Sequence, residues 1–206
     1  MKGLKKLNLV LSFFLLLTTS SNSFSQLKSG VYDDWFNIVS DTIENKIKGY
    51  FYAESGYDEI TKNSRFSCGF YFITTESSKN EYKIKTFWPG ESFEDTIFGK
   101  IIVLDSNNFN IKLDSEHGGC WNVNHFADSL SNYELTQEKN WLDIKYVIHE
   151  KINFYETPDD KKKRKAFIIK KDVVYVEKKE GNWVYCVYYG EKTITKGWLK
   201  TIDLNN

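Results

Sequence analysis

Glu81–Trp88 reads EYKIKTFW. Tyr82, Ile84 and Thr86 alternate with Lys83, Lys85 and Phe87, the two-residue period of a strand with one face buried. The same reading extends outward. IKGYFYAES (47–55), RFSCGFYFITT (65–75), TIFGKIIVLD (96–105) and FNIKLD (109–114) are β-prone runs, separated by turn-forming segments such as ESGYDEITKNS, TESSKN and DSNN. About five strands joined by short turns predict an antiparallel meander. It closes into a small barrel or sandwich, because an open flat sheet would leave its edges exposed. Gly49, inside its run, marks a bend or a close backbone approach. Upstream, Trp35, Phe36, Ile38 and Val39 fit either a helical turn or an edge strand. Downstream, Trp141, Ile144, Tyr146 and Ile148 read as a final strand leading into a second domain.

Composition agrees with an all-β chain: aromatics make up 17% and there are two prolines, while tyrosine- and isoleucine-rich runs recur. The N-terminus is read as a secretory signal. Lys2, Lys5 and Lys6 precede the apolar run LNLVLSFFLLL, and Ser23 and Ser25 flank Phe24 in the small-x-small pattern of a cleavage site. Residues 1–25 are therefore expected to be removed before Gln26. The apolar run is shorter than the roughly 20 residues a membrane span needs, and no cysteine follows it for lipid attachment, so no membrane anchor is expected. The protein is placed outside the cytoplasm, periplasmic or secreted.

The formal net charge is zero, yet the halves differ. Residues 26–150 hold 12 Lys and Arg against 20 Asp and Glu, a net of −8; residues 151–206 hold 13 against 8, a net of +5. Two units of opposite charge are expected, 26–150 and 151–206. They can attract each other or partners of opposite sign. An exported protein rarely meets nucleic acid, so the basic half points to an anionic wall polymer or an acidic protein surface.

Cys68, Cys120 and Cys186 make an odd set. Export favours disulfides. Cys68 and Cys120 both lie in the acidic half and are expected to pair; Cys186, in WVYCVYY, reads as a small buried hydrophobe. Gly118 and Gly119 allow the tight turn that presents Cys120, and Trp121 reads as a plug for one barrel end, the alternative being an exposed ring. His117 lies three residues from Cys120, which raises a Cys-His nucleophile as the sharper alternative. The acids Glu91, Glu94, Asp95, Asp114 and Glu116 raise a hydrolase, or, more simply, solvated loops. A barrel mouth holding a small ligand is a further alternative. No CxxC or HExxH occurs and His117, His125 and His149 lack ligand spacing, so neither a metal nor another cofactor is expected.

From Lys151 the chain reads as five short strands: INFYETP, AFIIKK, DVVYVEKKEG, NWVYCVYY and TKGWLKTIDL, with DDKKKRK as a mobile loop after Pro158. Roughly Lys151–Leu204 resembles the bacterial SH3-like (SH3b) family. The resemblance rests on the order of FYETPD, of AFIIKKDVVYV with its turn at Asp172, of Trp-x-x-Val-x-Tyr beginning at Trp183, of Gly197-Trp198-Leu199 and of the closing IDL. Cys186 stands where the family usually has valine, and KKDV lacks a glycine often found before the aspartate. The resemblance implies a small SH3-like barrel that binds and does not catalyse, on an exported protein that touches the cell wall or other proteins. It places Val184, Cys186 and Tyr188 inside and leaves Trp183 and Tyr185 on the outer or groove side, beside the basic run Lys161, Lys162, Lys163, Arg164 and Lys165, as a ligand site. Trp198 is expected to close the barrel, partly buried. The strand order of the N-terminal half resembles that of small calycin-like barrels, a likeness of shape.

The expectation is thus an exported, non-enzymatic binding protein whose partner is a protein or a peptidoglycan-like polymer. Two other classes stay open. One is an inhibitor or immunity-type protein against a secreted enzyme. The other is a hydrolase with its site in the N-terminal half.

Overall fold

Each strand of the N-terminal half pairs with the one before it, and the last returns to the first. In the computed structural model, which describes residues 26–90, 95–190 and 192–205, these strands are β1 (Gly30–Tyr32), β2 (Phe36–Asp41), β3 (Lys46–Asp58), β4 (Asn63–Ser77), β5 (Glu81–Phe87), β6 (Ile97–Val103), β7 (Asn108–Leu113) and β8 (Ser131–Glu138). All pairs are antiparallel and β1 closes on β8, giving an eight-stranded barrel. The expected signal segment, residues 1–25, lies outside the described residues, as do Glu91 and Glu94. The meander was legible as five strands; β1, β2 and β8 complete it. The polar stretch ESGYDEITKNS is less turn than expected, since β3 runs to Asp58 and β4 starts at Asn63.

The interior is filled with aromatic rings. Phe36 sits among Phe51, Phe70, Phe72, Phe109, Phe126 and Tyr133, with ring centroids 4.5–6.0 Å away. Eight strands enclose a space that side chains can just fill, and here they do. Gly49 is the close approach foreseen: a Cβ there would stand 2.1 Å from Cζ of Phe72. The outer positions carry Lys83, Lys100 and Lys112 side by side across β5, β6 and β7. No helix among the described residues is long and apolar enough to cross a membrane.

After β7 the chain folds under one barrel end. Cys120 bonds to Cys68 of β4, 52 residues away in sequence. Gly119 takes a left-handed φ of 85° just before the 3-10 turn Cys120–Asn122, and the oxygen of Ser67 lies 2.9 Å from where its Cβ would be. Only glycine fits there without strain. The plug is Phe126, fully buried, and not Trp121, which is 58% exposed. Bonding Cys120 inward turns the next residue outward.

The second sheet has six antiparallel strands in the order β11-β10-β14-β13-β12-β9. They are β9 (Asp143–Tyr146), β10 (Lys151–Tyr155), β11 (Lys163–Ile169), β12 (Val173–Glu180), β13 (Trp183–Tyr189) and β14 (Ile194–Lys200). Five of them match the five runs read from sequence. The sixth, β9, comes from the stretch around Ile144 and Tyr146 and pairs with β12. The core holds Val147, Phe154, Ile168, Val176, Val184, Cys186 and Leu199 among others. Cys186 is a buried free thiol, as read, and burial pushes its pKa far up. DDKKKRK is ordered: Asp160–Lys162 form a 3-10 turn capped by the Asp159 carboxylate, which accepts from the Lys161 N–H (2.9 Å), and Lys163 starts β11.

A third buried cluster joins the two sheets. Val39, Tyr71 and Phe87 from the outside of the barrel pack on Trp141, Ile144, Val173 and Tyr175. The Tyr71 hydroxyl donates to the Ile144 carbonyl (2.6 Å) in this buried place. At its margin Asp143 is 6% exposed and faces three lysines: Lys48 of the barrel at 2.9 Å, Lys179 at 3.5 Å and Lys145 at 3.7 Å. Burial lowers the Lys145 pKa, against the pull of Asp143. Replacing Asp143 with Ala strands these cations together. We expect a loss of about 3 kcal/mol, the low end for breaking a buried ion pair because Lys48 and Lys179 keep some water; urea unfolding measures it, and a loss below about 0.5 kcal/mol refutes the network's role. For the disulfide, the unfolded unreduced chain should take up one alkyl group, on Cys186, and three after reduction. Reduction should cost about 4 kcal/mol in the chain-entropy treatment of a loop this long.

Candidate functional site

Register on the second sheet sets aromatic side chains in a row. Tyr155 of β10 is opposite Trp198 of β14, Trp198 is opposite Tyr185 of β13, and Tyr185 is opposite Lys178 of β12. Directly opposed residues share a face. Their inward neighbours Phe154, Val184, Cys186 and Leu199 are fully buried, so the row lies outside. Tyr185 and Trp198 meet edge-on at 5.5 Å, and Lys178 Nζ lies 5.9 Å from the Tyr185 ring centre. One step along, Trp183 is opposite Lys200. Trp183 meets Tyr155 edge-on at 4.8 Å, and Lys200 Nζ lies 5.4 Å from the Trp183 ring centre and 5.9 Å from that of Tyr155. Four half-buried rings and two lysines thus form one continuous aromatic and basic face.

At its end Trp183 lines an open groove of about 460 Å3 with Asp160, Asn182, Lys200, Thr201 and Ile202. Lys200 pairs with Asp160, and that bond holds the Lys200 ammonium above its usual pKa. The groove therefore offers an apolar ring and wall, a cation, a carboxylate and two neutral hydrogen-bonding side chains.

Of the residues expected in a ligand site, Trp183 and Tyr185 both stand on this face, but only Trp183 lines the groove. The basic run is divided. Lys161 and Lys162 sit in the 3-10 turn that brings Asp160 to the groove, and Lys163, Arg164 and Lys165 begin β11 at the sheet edge. Arg164 is spent on structure: Nη1 donates to the Lys196 carbonyl. All five side chains are exposed. Sequence reading missed Tyr155, Lys178 and Lys200. Trp198, expected to close a barrel, is on the outer face. The signal was present, because INFY and ITKGWLK alternate with the same period as β13, but which strands lie side by side was not.

The chain matches no family model, no curated protein and no solved structure. Assignment rests on geometry. Around His117, the Cys120 sulfur is bonded to Cys68 and holds no thiolate. His117 is buried, stacked on Phe70 (5.2 Å), with Nε2 2.6 Å from the Thr86 hydroxyl. That hydroxyl donates to the Ile97 carbonyl (2.9 Å), so it accepts from a neutral imidazole protonated at Nε2. Of the loop acids, Glu116 accepts the Ala127 N–H (2.6 Å) and pins the loop, while Asp95 and Asp114 are exposed. Among the described residues no group of three His, Cys, Asp or Glu is placed to hold a metal.

Burial pushes the His117 pKa down to about 4. The unfolded chain takes up this proton near pH 6.5, the folded chain only near pH 4, so this group lowers stability as pH falls through that window. His117→Phe should remove that slope from thermal midpoints measured between pH 7 and 4. A His117 imidazole resonance, assigned by its loss in His117→Phe, that titrates near 6.5 in the folded protein would contradict the assignment.

Proposed function

We propose that this is an exported, non-enzymatic binding protein that holds a peptidoglycan-like wall polymer against the outer face of an SH3-like second domain. The observation that carries the reading is the single face of Tyr155, Trp183, Tyr185 and Trp198 with Lys178 and Lys200 set against the rings. Aromatic faces bind the apolar sides of sugar rings, and their edges and hydroxyls keep a polar handle. The lysines match the carboxylates of wall peptides. Further support comes from the five strands at the positions of the SH3b resemblance and from the IDL segment, whose Thr201–Asp203 turn leads Leu204 back to a bridge with Val147. The Cys68–Cys120 bond is of the kind that oxidising compartments permit, which favours export.

The test is co-sedimentation with purified peptidoglycan at low and high salt. The protein should be retained at low salt and partly released at high salt, as screening weakens the lysine contacts. Trp183→Ala should reduce retention by about tenfold or more, the scale of an aromatic hot spot, with the circular dichroism spectrum unchanged. No retention at low salt overturns the polymer reading and leaves a protein segment as the occupant of the same face. Unfolding by Trp183→Ala would instead place Trp183 in the core.

A further inference from the structure

A second concavity, of about 420 Å3, lies at the seam between barrel and sheet. This falls in the range of small-molecule sites, about 300–1,000 Å3. Both units build it: Tyr50 and Tyr52 from β3, Tyr175 from β12, Tyr188 and Tyr189 from β13. It shares no residue with the aromatic and basic face.

The hydroxyls of these tyrosines are not all used. Tyr52 donates to Glu54 (2.5 Å) and Tyr188 to Asp172 (3.2 Å). Tyr175 is 5% exposed, its ring stacked on Trp141 at 4.3 Å, yet its hydroxyl has no hydrogen-bond partner among the described residues. The Tyr50 hydroxyl has none either. Neither hydroxyl is among the buried polar atoms left without a partner, so both open to the cleft and are available to a ligand there. Burial raises both phenols, Tyr50 to about 12. Asp172 and Tyr188 add to the rise at Tyr50, and Tyr50 and Tyr189 to that at Tyr175. Asp34 and Asn37 line the same cleft and supply further polar groups.

Rings with free hydroxyls, next to amide and carboxylate acceptors, suit a ligand rich in hydroxyls. The charges narrow the class. Asp34 and Asp172 disfavour an anion. A cation fits poorly, because Lys171 also lines the cleft and both Asp172 oxygens are engaged, one by Tyr188 and the other by the Ile169 N–H (2.8 Å).

The geometry points to a neutral saccharide site in this seam, with one or two sugar rings stacked between Tyr52 and Tyr189 and bonded to the hydroxyls of Tyr50 and Tyr175. Tyr52 and Tyr189 are each 42% exposed and stand where a ring enters. The site is independent of the wall-binding face and holds whether or not that face is occupied.

The experiment is calorimetric titration of the purified protein with three neutral trisaccharides, chitotriose, cellotriose and maltotriose, and with choline chloride and sodium sulfate as charged probes. At least one trisaccharide should bind with Kd of about 1 mM or tighter, and neither charged probe should compete. Tyr175→Phe and Tyr50→Phe remove a hydroxyl and keep the ring. Each should weaken that binding about two- to tenfold, the worth of one hydrogen bond, with an unchanged thermal midpoint. A trisaccharide whose binding falls in Trp183→Ala and is unchanged in both phenylalanine variants sits on the wall-binding face, and that result overturns the inference. The inference is overturned if no trisaccharide binds, if choline or sulfate binds in their place, or if both phenylalanine variants bind like the wild type.

Discussion

Phe36 is the residue around which the molecule is arranged. Its ring touches six others at the centre of the barrel, and edge-to-face contacts predominate, the arrangement that the ring quadrupole favours. A barrel of eight strands can either hold a small ligand or fill itself. Filling it with phenylalanine settles the choice. The barrel is a solid body, and it can meet a ligand on its outer surface or at its mouth, where Phe51, Ala53 and Tyr133 line a cavity of about 330 Å3. The same packing explains Gly49, whose missing Cβ is where the Phe72 ring lies.

A solid barrel also has an outside firm enough to build on. In β4 the run Phe70, Tyr71, Phe72 and Ile73 alternates between two cores. Phe70 and Phe72 point into the barrel, while Tyr71 belongs to the seam cluster with Ile73 packed against it. Phe87 does the same at the end of β5: it shares the outward side with Lys83 and Lys85 and is covered by the second sheet. This is why RFSCGFYFITT reads as a nearly continuous apolar run. The barrel and the second sheet meet here with a carboxylate supplied by β9. Asp143 sits on β9, directly after the linker, and gathers lysines from both sides. Here Lys48 of the barrel pairs with Asp143 of the second sheet, an ion pair across the seam.

What the sequence made legible follows from this. Strands with one buried face announced themselves by alternation, as β5 and β13 did. β8 did not: of its eight residues only Tyr133 is buried, with Leu135 partly buried against the same core, and two apolar residues are too few to establish a period. β1 has three residues and no pattern to show. In the loop after β7, Trp121 reads as the plug from sequence, and Phe126 takes that place because the disulfide turns the backbone so that Trp121 faces outward. The candidate face was half legible for a similar reason. Trp183 and Tyr185 came from alternation within one strand together with the SH3b resemblance, which chose the outer side. Tyr155, Trp198 and Lys200 joined them only through register between strands distant in sequence, and alternation carries no information on which neighbour a strand chooses.

The two proposed sites stand at the two ends of β13. Trp183 and Tyr185 face outward at its start and Tyr189 at its end, with Val187 buried between them. Six residue steps at roughly 3.3 Å each separate Trp183 from Tyr189 by about 20 Å. β13 is hydrogen-bonded to β12 on one side and β14 on the other along nearly its whole length. A strand held on both edges does not relay a shape change readily, so coupling between the sites through the protein should be small. Coupling through the ligand is another matter. A polymer long enough to reach both would make the second contact an intramolecular one, at the high effective concentration that a short tether gives. Two weak, rigidly spaced contacts on one strand then suit repetitive polymers over single sugars. That preference arises from the spacing of tyrosines and tryptophans along β13 and requires neither site to bind tightly alone.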